Sequence, residues 1–90
     1  MPNPKDVNPN NYKVKSILYD DNSFSIAIGT WKTQQNILAM RWNGDDKDMG
    51  YPKTFGHPMW FIVTDKLKQP IIQMLMQEDS ALVDKLLNSI

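Results

Sequence analysis

The chain reads as an α+β domain: a three- to four-stranded antiparallel sheet in meander order, followed by C-terminal helices packed on one face. Three observations predict this. Segments rich in strand formers, with apolar residues near period two, fill residues 12–64. The connections between the first three segments are short and polar, which permits only antiparallel neighbours. From Thr64 onward the apolar spacing changes to threes and fours, so strands come first and helices last.

Residues 1–11 hold three prolines and four asparagines and almost nothing apolar, so they are expected to form a flexible or extended lead-in. A single domain over residues 12–90 follows. The first strand is "YKVKSILY" from Tyr12. "DDNS", Asp20 to Ser23, is a turn signal, because short polar side chains bond their own backbone there. "FSIAIGTW" is the second strand, with Phe24, Ile26 and Ile28 on one face. Lys32 to Asn36 is polar and reads as a second hairpin connection. "ILAMRW", Ile37 to Trp42, is the third strand and "PMWFIVT", Pro58 to Thr64, the fourth.

Alternation sorts these strands into two faces. Phe24, Ile26, Ile28, Leu38, Met40, Trp42, Met59, Phe61 and Val63 are expected to look toward the helices, with Val14 and Leu18 completing the layer. The opposite face then shows Lys15, Tyr19, Trp31, Arg41 and Trp60, with Ala27, Ala39 and Ile62 between them. Basic groups interleaved with tryptophans suit stacking and cation–π contacts on a wet sheet face. Cross-strand aromatic packing is the structural reading of the same pattern and the commoner one.

Residues 43–57 form a long connection for a chain of this size, and long loops in compact domains are often functional. "NG" at Asn43–Gly44 favours a tight turn. "GYP" and "GHP" hold the chain extended or turned. Tyr51 and Phe55 are expected to fold back over the sheet edge, giving a packed Ω-like loop. Asp45, Asp46 and Asp48 have carboxylates at a spacing that hard cations use. Lys47 sits among them and no glutamate completes a Ca²⁺ loop, so a solvated acidic turn is preferred and no metal is expected. His57 is the chain's only histidine and the only plausible acid–base residue. A lone histidine is not a catalytic constellation, and a turn histidine bonded to backbone is the preferred reading. No phosphate loop, nucleophile elbow or HExxH occurs.

The helical part carries Pro70, which is expected to end a short turn, "DKLKQ", and start a new helix, "PIIQMLMQ". That helix is apolar nearly all round, so Ile72, Met74 and Met76 are candidates for an oligomer interface, with a homodimer the expected assembly. Asp79 or Ser80 is placed to cap a third piece, in which Leu82, Val83, Leu86, Leu87 and Ile90 make one stripe.

Composition narrows the chemistry. The 90 residues are 41% hydrophobic and 22% charged, with net charge zero. Residues 1–42 carry five Lys/Arg against three Asp, and residues 43–90 five against seven acidic groups. Such a balance does not suit a chain that grips many phosphates. The absence of cysteine excludes disulfides, Cys-ligated zinc and thiol catalysis, and fits a reducing compartment. No signal-like or membrane-spanning apolar run occurs, so a cytoplasmic protein is expected.

The block Ile17–Asp65, with "RWNGDD", "GYP", "FGHP" and "WFIV", resembles a group of small bacterial proteins with no assigned activity, some of them carried in mobile gene cassettes. The resemblance covers a little over half the chain. It implies a bacterial cytoplasmic origin and supplies no catalytic residue.

The functional expectation is therefore a non-enzymatic binding protein without cofactor. It would contact a macromolecule, a protein in preference to nucleic acid, through Trp31, Arg41, Tyr51, His57 and Trp60. Single-stranded nucleic-acid binding through the same Trp/Lys/Arg face is the alternative. A small-molecule binder or small enzyme at His57 and the Asp cluster is the second alternative.

Overall fold

The computed structural model describes residues 3–78. Strands β1 (Tyr12–Asp20), β2 (Phe24–Trp31) and β3 (Gln34–Trp42) form an antiparallel meander. β4 (Lys53–Thr54) and β5 (His57–Pro58) make a separate small hairpin. β6 (Phe61–Ile62) then returns to pair with β3, giving the sheet order β1-β2-β3-β6. One helix, α1 (Asp65–Glu78), follows. This is the expected α+β arrangement with one described helix. The stripe from Leu82 to Ile90 lies outside the described residues.

Local chemistry explains the connections. In the β1–β2 turn, Asp21 Oδ1 accepts from the amides of Ser23 (2.9 Å) and Phe24 (2.7 Å), while Asn22 takes a left-handed φ of 73°. Only Lys32 and Thr33 separate β2 from β3, so the second turn is tighter than the expected connection from Lys32 to Asn36. The single fourth strand expected over Pro58–Thr64 is instead divided between β5 and β6.

Pro70 does not split the helix. It stands six residues into α1, where only the carbonyl of Lys66 loses its partner, and both residues are exposed. Water can satisfy that carbonyl, so the fault remains local.

Each side of the sheet has its own core. On the helix side Leu18, Ile26, Ile28, Leu38, Val63 and Leu75 are buried together, flanked by Phe24, Met40, Ile71 and Ile72. On the other side Val7, Tyr12, Ala27, Ile37, Ala39 and Trp60 are buried, flanked by Val14, Trp31 and Ile62. The expected pleat parity holds along β2, β3 and residues 60–63. It fails in β1, where Val14 joins the second core and Tyr19 the first. Register shifts between Val14 and Ser16, and between Ile17 and Tyr19, are the reason. Each inserts a residue and reverses the alternation beyond it.

The lead-in is packed. A 3₁₀ turn at Pro4–Asp6 buries Pro4, and Val7 is almost fully enclosed. Asn8 fixes the crossing onto β1: its Oδ1 accepts from the Val14 amide at 2.7 Å, and its carbonyl accepts from Lys13 Nζ at 2.8 Å. Residues 3–11 thus act as a strap over the sheet face that was expected to be open.

Candidate functional site

The strap decides the fate of the tryptophan face. Trp60 is buried, its indole N–H donating to the Val7 carbonyl at 2.6 Å. Its ring lies 5.9 Å from that of Tyr12, tilted by 50°. The Tyr12 hydroxyl donates to the Ile37 carbonyl at 2.7 Å, and burial pushes its pKa well above the usual tyrosine value. Trp31 is half-buried at the margin of this core, with Lys32 Nζ 4.9 Å from its ring centroid. That contact is the cation–π pairing the sequence pattern suggested, but it joins sequence neighbours at a turn.

Arg41 was expected on the exposed face and is instead 1% exposed. Its guanidinium reaches under the 43–59 segment. Nη1 donates to the Met59 carbonyl at 2.7 Å and Nη2 to the Met49 carbonyl. Among the described residues no carboxylate pairs with it, and Nε has no hydrogen-bond partner. Desolvation accordingly lowers its pKa, though a guanidinium stays charged. Gly50 makes this geometry possible: at φ 88° a Cβ would stand 2.6 Å from Arg41 Nη2 and 2.0 Å from the Trp42 carbonyl.

The segment above Arg41 is ordered by further bonds. Asn43 is buried, accepting from Ser25 Oγ at 2.7 Å and donating to Asp20 Oδ1 at 3.0 Å. Trp42 and Tyr51 exchange both backbone hydrogen bonds, at 2.7 and 3.0 Å. The aspartates fold the turn: Asp45 Oδ1 accepts from the Lys47 amide, and Asp48 Oδ1 from the Gly50 amide. Asp48 also meets Lys53 Nζ at 3.7 Å, an exposed pair that contributes little.

Beyond this turn the β4–β5 hairpin projects from the body. Phe55 at its tip is 97% exposed and does not fold back over the sheet edge as expected, whereas Tyr51 does return to that edge, pairing its backbone with Trp42 while its ring stays exposed. Phe55 and Gly56 both have left-handed φ, 50° and 78°, which turns the Phe55 ring outward. His57 is exposed on β5. An open cleft of about 550 Å³ runs between this hairpin and the strap, lined by Asp6, Asn8, Phe55, His57 and Met59 among others. None of the three turn aspartates reaches it. The expected grouping of His57 with one of these three aspartates is therefore not found in this cleft.

Of the five sequence-selected contact residues, the structure leaves Tyr51 and His57 exposed and Trp31 half-exposed. Arg41 and Trp60 lie beneath the surface as supports. Ile72 packs into the first core, while Met74 and Met76 are exposed on α1. Phe55, Trp42 and Phe61 are prominent exposed aromatics that sequence reasoning had assigned to covered positions. Among the described residues no helix is long and apolar enough to cross a membrane. Comparison with family models, curated proteins and solved structures gave no match.

Proposed function

We propose that this chain is a non-enzymatic binding protein whose contact element is the 43–57 loop and its hairpin. Tyr51, Phe55 and His57 make the contact. Arg41 holds the element in place from below through the Met49 and Met59 carbonyls, while Trp60 holds the strap through Val7. The single observation that carries this reading is Phe55: a phenylalanine held fully in water at a braced tip. Leaving such a ring exposed forgoes about 2 kcal/mol of burial, and partner contact would recover it. The partner is a protein in preference to nucleic acid, because the two groups best suited to stack bases or pair phosphates, Trp60 and Arg41, are enclosed.

Cytoplasmic placement goes with this reading, since a cysteine-free composition fits a reducing compartment. A bacterial, cassette-borne origin rests on the sequence resemblance. The exposed Met74 and Met76 offer a surface for a second copy, and sedimentation of the purified chain reads that state.

The test is capture of binding partners by the tagged protein from bacterial cells, followed by affinity measurement on the purified pair. Phe55→Ala and Tyr51→Ala should each weaken binding by about tenfold or more, with unchanged melting temperature. Full affinity in both variants would remove the hairpin from the interface. Salt-dependent retention of a labelled single-stranded oligonucleotide would favour nucleic acid instead.

A further inference from the structure

Four aromatic rings stand around one opening on the helix side of the sheet. Phe24 is opposite Trp42 in the ladder, Trp42 opposite Tyr51, and Met40 opposite Phe61. Residues paired in this way project to the same side. Tyr51 and Phe61 thus both border β3 on its outer edge, two strand positions or about 7 Å apart. The Phe24 and Trp42 rings meet edge to face at 4.8 Å, which steadies the indole. Trp42 is nevertheless 55% exposed, Phe61 59% and Tyr51 65%. Between them lies a cleft of about 200 Å³, with Met40 and Pro52 completing its wall. It is smaller than the roughly 300–1,000 Å³ of sites that enclose a drug-sized molecule, so its occupant is small.

The lining selects the chemistry of that occupant. Its side chains are aromatic or apolar except for Arg41, whose guanidinium is bonded to the Met49 and Met59 carbonyls. Alternation along β3 sends that side chain to the face opposite Met40 and Trp42. The ring faces therefore supply the attraction, and a ring face attracts cations. The surrounding charge has the matching sign. Asp21 Oδ1 accepts from the Phe24 amide at 2.7 Å, and Asp20 Oδ1 from the side chain of Asn43, next to Trp42, at 3.0 Å. Asp45, Asp46 and Asp48 stand on the turn that joins Trp42 to Tyr51. These five carboxylates are set against three cations, Arg41, Lys47 and Lys53. All five are exposed, so their pull on a cation is strongest at low ionic strength. Among the described residues no carboxylate lines the cleft itself. A primary ammonium would give up hydrogen bonds to water on entering, whereas a quaternary ammonium has none to give up.

We infer that this cleft binds a small molecule carrying a quaternary ammonium group, held among Trp42, Tyr51 and Phe61 by cation–π attraction. The inference does not rest on the partner-binding reading, with which it shares Tyr51 alone. Trp42 and Phe61 belong to this cleft, and the Phe55 tip does not border it.

The test titrates the full chain with choline chloride. Sodium chloride at the same concentration is the blank, and the neutral tert-butyl analogue of choline is the uncharged isostere. The indole N–H resonances of Trp31, Trp42 and Trp60 report where the probe sits. Choline should move the Trp42 resonance saturably and leave those of Trp31 and Trp60 in place. The neutral analogue should bind about fivefold more weakly or not at all. Phe61→Leu and Tyr51→Leu, both at exposed rings, should each weaken choline binding by about threefold or more. If either variant fails to fold, the comparison of choline with its isostere on the parent chain decides. No saturable change at Trp42, equal affinity for the neutral analogue, or a response centred on Trp31 would each overturn the inference. So would a Trp42 resonance that moves with protein concentration and not with choline, since a second copy would then occupy the patch.

Discussion

The indole N–H of Trp60 donates to the carbonyl of Val7 across 53 residues of sequence. This bond ties the lead-in to the strand that closes the sheet. It converts a proline- and asparagine-rich segment into the lid of a second core. Trp60→Phe keeps most of the buried ring but leaves the Val7 carbonyl unpaired, at a cost of about 1–2 kcal/mol. Val7→Asp should cost more, since an ion would enter an apolar site. Urea unfolding of both variants checks the order.

Arg41 gives a sharper case. Arg41→Ala removes the only described donors to the Met49 and Met59 carbonyls. A loss of about 3 kcal/mol is expected, within the range for breaking a buried charged group's contacts. Arg41→Lys should recover less than half of this, because one ammonium cannot span both carbonyls as the planar fork does. Chemical denaturation, with Tyr51 and Gly50 amide exchange as the local readout, distinguishes a loosened loop from global unfolding.

The buried Tyr12 hydroxyl predicts alkaline behaviour. Its folded pKa is raised by desolvation from the ordinary 10.0. A raised folded pKa means the native state binds the proton more tightly than the unfolded chain. Its contribution is therefore complete below pH 10 and is lost as pH rises from there toward the folded value. Tyr12→Phe should lower stability at pH 7 by about 1 kcal/mol, through the lost bond to Ile37. The same variant should show a flatter decline above pH 10. Melting temperatures from pH 7 to 11 test both halves.

Pro70 interrupts α1 without ending it. Pro70→Ala restores the missing donor at an exposed position and removes the ring's clash with the preceding turn. A gain of about 1–3 kcal/mol is expected, seen as a higher melting temperature with unchanged sheet signals.

These cases show how far the sequence could be read. The meander was legible because Phe24, Ile26 and Ile28 alternate against Leu38 and Met40, and parity leaves no choice of face. β1 was half legible, since an inserted residue leaves no compositional trace and reverses Val14 relative to Leu18. The strap was not legible: one valine among prolines and asparagines carries no periodic signal. Arg41 was misplaced for a general reason. Arginine is rarely enclosed without a carboxylate, and backbone carbonyls that serve in its place have no sequence signature. The loop's length marked Tyr51 and His57 as contact residues, whereas the aromatic character of Phe55 argued for folding back over the sheet edge and misled.

The register shifts in β1 have a consequence for solubility. β1 is an outer strand, and an outer strand with an even row of free amides and carbonyls invites another chain to add on. Here the row is broken twice, and Asn8 already occupies the Val14 amide. The opposite border, β6, is two residues long. Neither side of the sheet thus offers a template for fibril growth, and concentrated solutions of the folded chain should stay free of amyloid-type dye binding.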